Sequence, residues 1–204
     1  MLVVFCGLPS CGKSTLTAKI AENCSSQYFL EPEEDFWPSW IKEDNLDQFS
    51  ALNWFRSARV PEYKKAALIS EKELVFVDSF YDVLIKYYIN DPSFSWLISK
   101  ENAYYEVVKR TAELDAELLA APDLLVFIKV SEDDWSTLQK KRNRVYDETV
   151  NLIENYQMQD SIYNAARNYC KDTGTNFLEV EQKIDGYEEI IEEITKCLKS
   201  LQYI

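Results

Sequence analysis

The sequence predicts an α/β protein built on a five-stranded parallel sheet with helices on both faces. Three observations lead there. Short apolar runs alternate along the chain with longer stretches of helical periodicity, the pattern of strand–helix–strand units. The runs are almost continuously apolar, as strands covered on both faces read. The first run passes directly into a glycine-bearing turn and then a helix, the order expected at the carboxyl edge of such a sheet. At 204 residues the chain suits one domain with a sizeable core. No linker, repeat or low-complexity segment divides residues 1–204.

The apolar run Leu2-Val3-Val4-Phe5-Cys6 is the first strand. Gly7-Leu8-Pro9-Ser10-Cys11-Gly12-Lys13-Ser14 follows and fits G-x-x-x-x-G-K-[ST], the phosphate-binding loop of nucleoside triphosphatases. Leu16, Ile20 and Cys24 then recur every four residues, one face of a helix. Glycines let backbone N–H groups turn inward around phosphates, and the helix N-terminus adds partial positive charge. Lys13 is placed to reach the β- and γ-phosphates, and the Ser14 hydroxyl to hold Mg²⁺. The expected cradle is Gly7, Pro9, Ser10, Cys11, Gly12, Lys13, Ser14 and Thr15, and the expected fold is that of the P-loop NTPases. Glycine-rich turns also join strands to helices in proteins that bind nothing. The four fixed positions in a strand–loop–helix context favour ATP or GTP binding instead.

Gln27-Tyr28-Phe29-Leu30 reads as the second strand, ending at Glu31-Pro32. The segment from Glu31 to Pro38 is acidic and aromatic, with prolines barring regular structure at both ends. A carboxylate in such a loop suits a general base. A solvated acidic loop with Trp37 and Trp40 packed on the core is the other reading, and composition alone favours it. A helical stretch runs from Asp47 to about Val60, with Pro61 kinking or ending it. Asn53 and Arg56 share a face of that helix, and Arg59 follows. Leu74-Val75-Phe76-Val77-Asp78 is the third strand. Its terminal acid either orders Mg²⁺ beside the phosphate loop or caps the next helix.

Asn102 to Ala121 has helical periodicity and is closed by Pro122. Leu124-Leu125-Val126-Phe127-Ile128 is a central fourth strand. Lys140-Lys141-Arg142-Asn143-Arg144 is the densest basic cluster, and a bare charge run of this kind is usually a solvated helix face. Thr149 to Cys170 is helical, Asn176-Phe177-Leu178-Glu179-Val180 is the fifth strand, and Tyr187, Ile190, Ile191, Ile194, Leu198 and Leu201 mark an amphipathic last helix.

Composition narrows the function. The chain is 47% hydrophobic and 14% aromatic, which argues against disorder. Its formal net charge of −13 opposes a dedicated DNA or RNA binder, which needs a basic surface. Five scattered cysteines without C-x-x-C spacing read as free thiols in a reducing compartment. Oxidation of Cys11, inside the phosphate loop, would block binding. There is no histidine, so proton transfer must use other groups. The first strand begins at Leu2, leaving no room for a targeting peptide, and no apolar run approaches the roughly 20 residues of a membrane span. A cytoplasmic protein without membrane association is the expectation.

Over most of its length the chain resembles the deoxynucleoside kinase family. In that family a strand leads into Glu-Pro with Trp a few residues on, matched here by Glu31-Pro32 and Trp37, with Trp37 one residue late. The resemblance implies that Glu31 takes the 5′-hydroxyl proton of the acceptor. It implies that Trp37, Asn53, Arg56, Arg59, Tyr81 and Glu148 surround the nucleoside, with Asn53 in place of the usual Gln. The family's acid-Arg-Ser motif followed by Tyr is matched by Asp78-Ser79-Phe80-Tyr81, which keeps the acid, Ser and Tyr and lacks the Arg. Arg56 or Arg59 substitutes for it, the substrate differs, or catalysis is weakened. The family's lid is similar to the segment at about 138–149, where Arg142 and Arg144 would close over the ATP phosphates. The implied protein is an ATP- and Mg²⁺-dependent kinase of a deoxynucleoside, with homodimers common in the family. A nucleoside monophosphate kinase and a nucleotide-binding regulatory protein without turnover are the alternatives.

Overall fold

The computed structural model describes residues 1–42, 46–142, 152–184 and 186–201. Five strands form one parallel sheet in the order β2-β3-β1-β4-β5. They are β1 (Leu2–Gly7), β2 (Gln27–Phe29), β3 (Val75–Val77), β4 (Leu124–Val130) and β5 (Asn176–Gln182). Residues Leu2 to Cys6 of β1 and Leu124 to Ile128 of β4 are all buried, although successive side chains point to opposite faces. Both faces of the sheet centre are therefore covered, as the continuous apolar runs require.

The helices among the described residues are α1 (Lys13–Asn23), α2 (Gln48–Ser70), α3 (Tyr81–Tyr88), α4 (Tyr105–Leu118), α5 (Glu132–Arg142), α6 (Leu152–Thr173) and α7 (Tyr187–Ser200). α1 and α7 pack against each other and on the sheet, while α2 and α6 cover it from their own side and α3 is held between α4 and α6. Crossover helices between parallel strands impose this layering. Every strand consequently points its carboxyl end the same way. The loops after β1, β2, β3 and β4 meet along one edge.

Two expectations about elements are corrected. α2 runs through Pro61 to Ser70 and does not end there. Pro61 lies on an exposed face, where the Ser57 carbonyl that loses its donor faces water. Trp40 does not pack on the core: it is 38% exposed. α3 was not legible as a separate helix, being only 8 residues long. The expected helix from Thr149 is described from Leu152 onward.

Candidate active site

The site begins at the end of β1. Gly7 lies so close to β4 that a Cβ there would stand 2.7 Å from the Ile128 carbonyl oxygen. Gly12 has φ 89°, the left-handed region that L side chains avoid, and a Cβ there would meet the Tyr187 hydroxyl at 2.9 Å. The loop then enters α1 at Lys13. Lys13 Nζ donates to the carbonyls of Gly7 at 3.3 Å and Leu8 at 2.9 Å, so its ammonium folds over the loop. Cys11 is fully buried beneath it, and burial raises its thiol pKa, with Lys13 opposing. A buried, protonated thiol is a poor target for oxidation, which corrects the expectation of a redox-sensitive loop.

Ser14 Oγ donates to Asp78 Oδ2 at 2.6 Å, joining α1 to the end of β3. Asp78 is 1% exposed, and its Oδ1 is buried without a hydrogen-bond partner. Burial raises its pKa, the nearby Glu31 adds to this, and Lys13 and the Ser14 hydroxyl oppose it. Asp78 does not cap α3, whose N-cap is Phe80 without a side-chain cap. An orphaned carboxylate oxygen beside a hydroxyl suits Mg²⁺, which takes one or two protein oxygens and completes its shell with phosphates and water. No cluster of three or more His, Cys, Asp or Glu that could hold a metal by itself occurs among the described residues.

Glu31 follows β2, close enough to Asp78 that its charge raises the pKa of that carboxyl. Its side chain meets Arg59, with Nη1 3.4 Å from Oε1. The rest of the Arg59 guanidinium grips Asp82 of α3 through Nε at 2.8 Å and Nη2 at 3.0 Å. Burial works against the Arg59 charge, but Asp82 and Glu31 outweigh it and hold the pKa above its ordinary value. Phe55 and Tyr81 flank the guanidinium at 5.3 and 5.0 Å, and Trp37 meets Phe55 edge-on at 5.0 Å. Trp37, Phe55, Arg59 and Tyr81 thus form one wall.

Farther along α2, Arg56 makes a bidentate pair with Asp115 of α4, both distances 2.6 Å. Asn53 is exposed, and its amide nitrogen donates back to the Phe49 carbonyl at 2.8 Å. Both still line one crevice, with Phe49, Leu52, Asp82 and Asp115. A second crevice on the other side of Asp82 is lined by Glu31, Arg59, Ser79 and Phe80. Asp82 and Asp115 were missed in the sequence. Each lies on a different helix from its arginine, so no spacing signals the pairing. Of the expected lid, Arg142 ends α5, while Arg144 and Glu148 lie outside the described residues.

No family model matches the chain. It is 27% identical over 150 residues to a deoxyguanosine kinase of Lactobacillus acidophilus, covering 72% of this chain and 65% of that protein, just under two-thirds of its length. It is 23% identical over 213 residues to a deoxyadenosine kinase of the same organism, covering 98% and 97%. The solved structure of deoxyadenosine kinase from M. mycoides with bound dATP matches with TM-score 0.71 at 16% identity, covering 96% of this chain and 100% of that one. A thymidylate kinase from Candida albicans matches with TM-score 0.64 at 17% identity, covering 99% and 92%. Likeness at that identity speaks for the fold.

Proposed function

We propose, for a chain that belongs to the deoxynucleoside kinase family at low identity, that it transfers the γ-phosphate of ATP to the 5′-hydroxyl of a deoxynucleoside. One observation carries the reading: the loop lysine, the Ser14–Asp78 pair and the Glu31 carboxylate meet at one sheet edge, with Arg59 bonded to Glu31. Lys13 and the loop amides bind and orient the donor phosphates. Ser14 and Asp78 would hold Mg²⁺, which neutralises phosphate charge when bound with the nucleotide. Glu31 accepts the proton of the attacking hydroxyl, and a carboxylate is suited to that in a chain without histidine.

The missing Arg after Asp78 is made good by Arg59, which reaches the Glu31 carboxylate from α2. Its bond to Glu31 orients the base. Trp37, Phe55 and Tyr81 wall the acceptor site, with Asn53 and Arg56 in the neighbouring crevice. The family resemblance gives closure over the donor to Arg142 and Arg144, the latter outside the described residues. Against a monophosphate acceptor stands the bidentate pairing of both α2 arginines, each already neutralised by a carboxylate.

The test is a phosphoryl-transfer assay with labelled ATP, Mg²⁺ and a panel of nucleosides and monophosphates, using Lys13→Ala as the blank. Product from deoxynucleosides is expected, with Glu31→Gln lowering turnover by roughly 10²–10⁴-fold at little cost in ATP affinity. Product from monophosphates alone would recast Arg56 and Arg59 as an acceptor clamp. ATP binding without any product would support the regulatory alternative.

A further inference from the structure

We infer that Trp135 is a positioning residue for the donor phosphates, acting through the peptide bond between Pro9 and Ser10. The inference rests on residues 7–14 being the donor cradle. Trp135 lies in the first turn of α5 and is 2% exposed. Its indole Nε1 donates to the Pro9 carbonyl at 2.7 Å. Proline has no N–H to offer a phosphate. Across the same peptide bond, however, lies the N–H of Ser10.

No described peptide bond is cis. In a trans peptide the carbonyl and the following N–H point in opposite directions. Holding the Pro9 oxygen toward α5 therefore turns the Ser10 N–H away from α5. Ser10 also has φ 64°, a left-handed conformation that a non-glycine residue adopts at a cost. Such a conformation persists where its surroundings over-determine it, and the indole supplies that hold.

The indole is itself fixed. Tyr156 of α6 packs on it at 5.9 Å between centroids, and the Tyr156 hydroxyl donates to the Val130 carbonyl at 3.0 Å. The Trp135 backbone N–H donates to Ser131 at 2.8 Å. The end of β4, α6 and α5 thus brace one side chain whose polar atom sets one peptide plane of the loop. Because α5 runs to Arg142, the same bond ties the helix that carries Lys140 and Lys141 to the cradle.

Two replacements isolate the bond. Trp135→Phe keeps an aromatic ring and loses the donor. 3-Benzothienylalanine at 135 keeps the bicyclic shape with sulfur in place of N–H, so folding is preserved if the phenylalanine variant fails. ATP affinity is measured by calorimetry well below each melting temperature, beside deoxynucleoside KM. Both replacements are expected to weaken ATP binding ~5–20-fold, the scale of one buried hydrogen bond, with acceptor KM within about twofold of the parent. A merely structural tryptophan would lower the melting temperature and leave ATP affinity alone. ATP affinity within twofold of the parent in the benzothienyl protein would overturn the inference. No ATP binding by the parent, or binding unchanged in Lys13→Ala, would overturn the cradle reading and this inference with it.

Discussion

Asp78 is a residue whose burial sets the proposed chemistry against stability. A carboxylate 1% exposed with an unpartnered oxygen is a poor stabiliser of the free protein. Its pKa is raised by burial and by Glu31, so between the ordinary carboxylate pKa and the raised one the folded state binds more protons than the unfolded. Stability conferred by the protonated form is therefore lost as pH rises through that window. Asp78→Asn is expected to melt higher than the parent at neutral pH without nucleotide, the gap closing as pH falls toward about 4. The same variant should lose the Mg²⁺ dependence of nucleotide binding. Thermal melts from pH 4 to 8, with and without MgATP, check both. A melting temperature below the parent at neutral pH would show that Asp78 is ionised and stabilising.

At the scale of elements, α2 is fastened to its neighbours by paired charges. Arg59 reaches Asp82 on α3 and Arg56 reaches Asp115 on α4. The Arg59 pair is buried, with 12% and 9% of the side chains exposed, whereas Arg56 is 37% exposed. Removing one partner of a buried pair strands the other in low dielectric. Arg59→Met should cost about 3–5 kcal/mol of stability. Arg56→Met strands Asp115, whose side chain is 8% exposed, but the partly solvated Arg56 contributes less, so the change should cost about 2–3 kcal/mol. Urea unfolding of the two variants decides it, and equal costs would mean that burial does not govern the difference. None of this pairing was legible in the sequence, because Arg59 and Asp82 are brought together only when α2 and α3 pack. The strand–loop–helix around Gly7, Gly12, Lys13 and Ser14 was legible, because these residues lie within eight positions of one another.

Across the whole molecule, a net charge of −13 acts as a diffuse self-repulsion. Screening relieves it within a Debye length of about 10 Å at 0.1 M salt. Raising sodium chloride from about 0.01 to 0.2 M should raise the melting temperature, by about 2–4 °C for each kcal/mol of repulsion removed. A fall would mean that surface ion pairs outweigh the net charge. No helix among the described residues is long and apolar enough to cross a membrane.

The sequence by itself determined the sheet, because continuous apolar strands alternating with amphipathic helices can be buried in few other ways. It also determined the place of the glycine-bearing loop between β1 and α1, whose motif lies within eight consecutive residues. Only the tertiary structure decided that Asp78 bonds Ser14 and does not cap α3, and that Arg59 stands at Glu31. It alone put Trp135 on the loop carbonyl, 126 positions away. These contacts join residues far apart in the chain, and their partners are chosen by which strand ends and helix faces the packed sheet brings together.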